Sequence, residues 1–142
     1  MPSEFQEWLT REKVMSYEEI LRVVKLGAGL GVKKVRITGG EPLTRRDIIP
    51  FIKSLSEISG IDDIGVSTNG TLLSKPTDGF KSAAEALFHA GVKTVNVSLD
   101  TLSEKHYTAI TGRPFLFKAI EGIDASRRLG FDKVKINSEL MR

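Results

Sequence analysis

Apolar residues along this chain follow two alternating periods. Ile20, Val23, Val24 and Leu30 keep helical spacing and form an expected core face. Ser16-Tyr17-Glu18-Glu19 ahead of them is a capping box, with Ser16 as cap and Glu19 reaching back. Gly31 closes that helix. Val35 and Ile37 then alternate with Lys34, Arg36 and Thr38, which predicts a strand over 34–38. Phe51, Ile52, Leu55 and Ile58 return to the helical period, with Asp47 as the expected cap, Pro50 tolerated in the first turn and Gly60 at the end. A second strand is predicted over 64–67, closed by Thr68-Asn69-Gly70. A third helix is expected to begin at Lys75-Pro76-Thr77-Asp78, to face the core with Ala83, Ala84, Leu87 and Phe88, and to end at Gly91. A strand over 94–98 follows, then Leu99-Asp100. A helix over 115–129, stopped by Gly130, leads to a last strand over 133–137.

The predicted order is αβαβαβαβ. Strand ends fall at Thr38, Ser67, Ser98 and Asn137, roughly 30–40 residues apart, the length of one β/α unit. Consecutive strands joined by helices predict a parallel sheet with right-handed crossovers. No linker or low-complexity tract interrupts the chain, so residues 1–142 are expected to form one α/β domain. A barrel wall and an open doubly wound sheet both fit. In either, ligands gather at the carboxyl ends of the strands. Gly39-Gly40-Glu41, Ser67-Thr68-Asn69, Ser98 with Asp100, and Asn137 occupy those ends and should converge on one rim.

Composition narrows the classes of function. The chain is 40% hydrophobic and 27% charged, an ordinary soluble balance. Its net charge of +3 is scattered rather than striped, which argues against nucleic acid and suits a small phosphate-bearing ligand. No apolar run approaches the roughly 20 residues of a membrane span, and residues 1–11 lack the apolar segment of a signal peptide. The expected location is the cytoplasm. The chain has no cysteine, so it forms no disulfide and supplies no thiolate ligand. His89 and His106 lie in different units without carboxylates at ligand spacing, and no metal site is expected from this chain.

The strand over 34–38 ends in Gly39-Gly40-Glu41-Pro42. Glycines let the backbone turn and let a ligand approach closely. Glu41 adds a fixed acceptor, and Pro42 stiffens the exit. This mouth suits a ligand carrying an ammonium group, and it also suits plain turn geometry. Arg36 reads either as a strand residue paired with a neighbouring carboxylate or as an anion contact. Ser98 either ends its strand or meets a ligand, and Asp100 is a possible helix cap. Lys135 inside a barrel would need an anionic partner, because an unpaired buried ammonium is costly. Arg45, Arg46 and Asp47 suggest an ion-paired helix start, and His106 with Tyr107 a surface segment.

Five segments together resemble the MoaA-type GTP 3′,8-cyclase family, radical S-adenosylmethionine (SAM) enzymes of molybdenum cofactor biosynthesis. They are VRITGGEPLTRRD at 35–47, STNG at 67–70, NVSLDTL at 96–102, ITGR at 110–113 and VKINSELMR at 134–142. The resemblance implies an incomplete parallel (βα) barrel of the radical SAM type. It implies that Gly39, Gly40 and Glu41 hold the amino group of SAM and that Ser98 touches the same cofactor. It places Arg36, Ser67 and Lys135 against GTP, where fixed positive charge fits a triphosphate. Asn137 is a weaker candidate on the same rim. The implied activity is a lyase reaction, cyclisation of GTP to (8S)-3′,8-cyclo-7,8-dihydroguanosine 5′-triphosphate, with radical chemistry carried by SAM and a 4Fe–4S cluster.

The family's Cys-x3-Cys-x2-Cys cluster motif has no counterpart here. Family members carry Met-Pro after the third cysteine, as this chain begins with Met1-Pro2. The expectation is therefore a fragment that lacks the cluster loop and the C-terminal part and is inactive alone. Its unpaired strand edges predict a homo-oligomer or association with missing segments. Three other readings compete: another radical SAM enzyme such as a peptide-modifying one, a non-catalytic SAM- or nucleotide-binding module, and an unrelated phosphate-binding α/β domain.

Overall fold

The four expected strands form a single parallel sheet in the computed structural model, which describes residues 14–77 and 79–139. The readings on residues 1–11, on Asp78 and on residues 140–142 lie outside those described. The strands are β1 (Lys34–Ile37), β2 (Asp63–Thr68), β3 (Thr94–Ser98) and β4 (Lys133–Asn137), ordered β1-β2-β3-β4. Right-handed crossovers along an order that never reverses place the connecting helices on one face, as in a barrel wall. A doubly wound sheet needs a reversal. The sheet is thus a four-stranded part of a (βα) barrel.

Register divides the two faces cleanly. Ile37, Val66, Val95 and Val134 form one rung, and Val97 pairs with Ile136 on the next. These side chains point to the helix side, where Val66, Val95 and Val97 are fully buried. They pack with Ile52, Leu55, Leu73 and Leu87, also fully buried. Each such side chain contributes about 1.5–3 kcal/mol by leaving water.

The helices are α1 (Tyr17–Gly29), α2 (Ile48–Ser56), α3 (Ala83–His89), α4 (Glu104–Thr111) and α5 (Leu116–Arg127). The capping box forms: Ser16 Oγ accepts from Glu19 N at 3.1 Å, and Glu19 Oε2 accepts from Ser16 N at 2.7 Å. The expected core face of α1 forms in part: Ile20 and Val24 pack against the core, beside Tyr17 stacked on Phe51, whereas Val23 and Leu30 are 57% and 88% exposed. Asp47 stands at the N-cap of α2 but is left-handed (φ 57°), and its side chain caps nothing. It pairs instead with Arg46 at 3.5 Å, while Arg45 lies over the Tyr17 ring and donates to Met15 O.

The third helix starts later than expected. Lys75-Pro76-Thr77 lies in turns, and the chain folds back so that Ala83 N donates to Lys75 O. Ser82 then caps α3 by accepting from Glu85 N. Phe88 is exposed rather than in the core. Helix α4 was not expected. Ser103 starts it and left-handed Gly112 (φ 72°) ends it. Its Tyr107 is buried, correcting the surface reading. No helix among the described residues is long and apolar enough to cross a membrane.

Candidate functional site

The carboxyl ends of the strands meet on one rim. At β1 the chain leaves through Thr38, Gly39 and Gly40, all exposed. A methyl group built on either glycine meets no atom within 4 Å, so the space before this backbone is open. Glu41 is differently placed. One carboxylate oxygen accepts from Thr68 Oγ1 at 2.8 Å and from Leu43 N at 3.1 Å; the other accepts from Asn69 N at 2.7 Å. Glu41 therefore caps the 3₁₀ turn Pro42–Thr44 and bolts the end of β1 to the end of β2. A carboxylate has about four acceptor sites, so one remains for a ligand.

The β3 and β4 ends are tied in the same way. Leu99 N donates to Asn137 O, Ser138 Oγ donates to Leu99 O, and Glu139 N donates to Asp100 Oδ1. Asp100 thus closes the rim instead of capping α4. Ser98 and Asn137 are exposed neighbours in register.

The sheet face opposite the helices is polar throughout. Arg36, Gly65, Thr94 and Lys133 form one rung, and Ser67, Asn96 and Lys135 form the next toward the rim. Rungs on one face are about 6.6 Å apart and neighbouring strands about 4.8 Å apart. The Arg36 guanidinium lies across Gly65: a Cβ there would sit 2.8 Å from Nη1. Arg36 and Lys135 are exposed and make no ion pair among the described residues. Among the described residues Arg36 thus finds no paired carboxylate; the one strand carboxylate there, Asp63, pairs with Lys34 at 3.5 Å. The sheet brings Arg36, Ser67 and Lys135 onto one face and Gly39, Gly40, Glu41 and Ser98 to its rim.

Asn96 was not among the candidates read off the sequence. It is 7% exposed, and its Oδ1 is buried with no hydrogen-bond partner among the described residues. The signal was present: in Thr94-Val95-Asn96-Val97-Ser98 the polar residues occupy every second position.

The exposed glycine backbone, the spare Glu41 acceptor and Ser98 fit the amino end of SAM. A 4Fe–4S cluster does not fit these residues: the chain has no cysteine, and no group of three His, Asp or Glu side chains forms a metal site among the described residues. Titration is perturbed away from the rim. Burial, with the Glu104 charge adding, raises the Tyr107 phenol above its ordinary 10.0, and burial partly offset by Arg45 raises Tyr17.

Comparison with known proteins gives the lineage. The model of the radical SAM superfamily matches residues 3–142. The GTP 3′,8-cyclase of Thermodesulfovibrio yellowstonii is 46% identical over 143 residues, covering 100% of this chain and 42% of that protein. That of Petrotoga mobilis is 44% identical over 142 residues, again 100% of this chain and 42% of the relative. That of Alkaliphilus oremlandii is 47% identical over 137 residues, 96% of this chain and 41% of the relative. The chain therefore spans about two fifths of the length of these relatives. A parallel barrel-type sheet, a glycine rim and a match over nearly every residue place the chain in the radical SAM superfamily.

Proposed function

We propose that residues 1–142 act as one unit, the SAM- and GTP-holding sheet of a cytoplasmic GTP 3′,8-cyclase. The observation that carries the reading is the polar sheet face, where Arg36 and Lys135 stand without carboxylate partners among the described residues. Fixed cations on one face suit a polyanion. Each charge pair at about 4 Å is worth roughly 1 kcal/mol in water and about 4 kcal/mol at an effective dielectric near 20. Ser67, between them, offers a hydroxyl to the same ligand. Gly39, Gly40 and Glu41 would take the ammonium of SAM by backbone carbonyl and carboxylate, with Ser98 on the same rim at the end of β3, two strands from β1. SAM supplies the adenosyl group for the family's radical chemistry. Thiolates for the cluster are absent from these residues, so binding and orientation, not turnover, are assigned to them. The GTP 3′,8-cyclase relatives favour this reading over a peptide-modifying enzyme.

The test is isothermal titration of the 142-residue chain with GTP and with SAM. Wild type is expected to bind both. Arg36→Ala and Lys135→Ala should each weaken GTP by about tenfold, the effect of losing about 1.4 kcal/mol, and leave SAM nearly unchanged. A folded wild type that takes up no GTP, or variants that bind GTP as wild type does, would overturn the assignment.

A further inference from the structure

Strand β4 carries two lysines on the polar face. Lys133 and Lys135 stand one rung apart, both exposed, and neither makes an ion pair among the described residues. Val134 between them belongs to the opposite face. Residues two apart on one face of a strand are about 6.6 Å from each other. Like charges at that spacing repel, and Arg36 stands on the rung of Lys133, three strands away. The one strand carboxylate, Asp63, is taken by Lys34. A polyanion laid along β4 turns the repulsion between the two lysines into two attractions.

Depth gives that polyanion a direction. The rim lies at the carboxyl end of β4, with Lys135 one rung below Asn137 and Lys133 two rungs below it. A 3′,8-cyclisation joins the ribose of the nucleotide to its base. The nucleoside is therefore the end that must reach SAM at the rim, since reacting groups have to be held in contact. The phosphate tail then points away from the rim, down β4. We infer that Lys133 binds the terminal phosphate of the nucleotide, with Lys135 on the phosphates nearer the sugar. Lys133 thereby selects a triphosphate over a diphosphate. This rests on the reading that the polar face binds GTP and the rim binds SAM. Lys133 is a specificity residue in that site and touches no reacting atom.

The experiment titrates the 142-residue chain with GTP and GDP. Wild type should bind GTP about five- to tenfold more tightly, the effect of one charge-assisted contact. Lys133→Ala should lose that factor for GTP and leave GDP nearly unchanged. Lys133→Arg keeps the cation and should keep the preference. Lys135→Ala should weaken both nucleotides alike. Lys25→Ala makes the same charge change at an exposed position on α1 and should leave the ratio unmoved. A folded Lys133→Ala that keeps the wild-type ratio, or that weakens GTP and GDP equally, overturns the inference and leaves the GTP assignment standing. So does equal binding of GTP and GDP by wild type, or a Lys25→Ala that shifts the ratio as far as Lys133→Ala. A folded wild type that binds no GTP removes both.

Discussion

Glu41→Ala tests whether this carboxylate is first a joint and only then a ligand contact. The wild-type side chain accepts three hydrogen bonds, from Thr68 Oγ1, Asn69 N and Leu43 N, at 2.8, 2.7 and 3.1 Å. Bonds to a charged group are each worth about 1.5–3 kcal/mol. The three are not independent, and water can replace part of what is lost at a half-buried site. The Leu43 bond is a cap, worth about 1 kcal/mol. Thr68 is buried, but its hydroxyl keeps the bond it accepts from Gly70 N. Together these put the loss at about 2–4 kcal/mol, a large share of the 5–15 kcal/mol that holds an ordinary domain. With a urea dependence of about 1.5 kcal/mol per molar, the unfolding midpoint should fall by roughly 1.5–2.5 M. Far-UV circular dichroism in a urea series measures this. Glu41→Gln should fall between, because its oxygen can still serve Thr68 and Leu43 while its NH₂ faces the Asn69 N–H. A midpoint for Glu41→Ala within about 0.3 M of wild type, less than one weak bond, would refute the reasoning. Glu41 would then be held for ligand alone, and SAM titration would show the whole effect.

Two further outcomes follow from the packing. Gly122→Ala should destabilise by about 1–3 kcal/mol by overpacking, despite the helix propensity of alanine, because the new methyl collides with the Gly70 carbonyl oxygen and Leu73 Cβ; a raised melting temperature would contradict this. Tyr107 is raised above 10.0 by burial, so the unfolded chain loses that proton first, and the tyrosine's share of stability is present below pH 10 and lost as pH rises through the folded value. Tyr107→Phe should flatten the fall in urea midpoint above pH 10, with Tyr17 carrying the remaining slope; an unchanged slope would show that the phenol stays wet.

The alternation of helix and strand was legible because each β/α unit carries its own punctuation, while the choice of a barrel wall over an open sheet came from the family resemblance and the strand order. Ser16 with Glu19 started a helix by sequence alone, and Gly31, Gly60 and Gly91 mark helix exits with φ of 92°, 91° and 98°. The failures have a common cause. Val23 and Leu30 have helical spacing, but spacing does not say whether a second layer exists to cover them. The start of α3 was misplaced because Pro76 is good turn chemistry as well as good first-turn chemistry, and the choice was made by Lys75 O and Leu73 O taking the N–H groups of Ala83 and Ala84. Tyr107 was read as surface because α4 has little apolar pattern; one buried phenol among polar neighbours leaves no periodic trace.

The site shows the same division between what one strand encodes and what two strands make. Strand alternation alone places Thr94, Asn96 and Ser98 on one face. That Asn96 Oδ1 lacks a partner among the described residues depends on which residue stands opposite on β2 and β4, which is a property of register. Gly-Gly-Glu-Pro carries a related lesson. Its glycines and its glutamate were read as one ligand-binding mouth, yet they do different work. Gly39 and Gly40 present bare backbone to open space, while Glu41 turns back to Thr68 and Asn69. The two halves need each other, because a glycine pair at a strand end is flexible, and a flexible rim loses entropy when it orders around a ligand. By fixing the residue next to Gly40 against β2, Glu41 moves that cost from binding to folding. The rim is then preorganised at its most mobile point, and a carboxylate directly after two glycines has a physical reason here that does not depend on its touching the ligand.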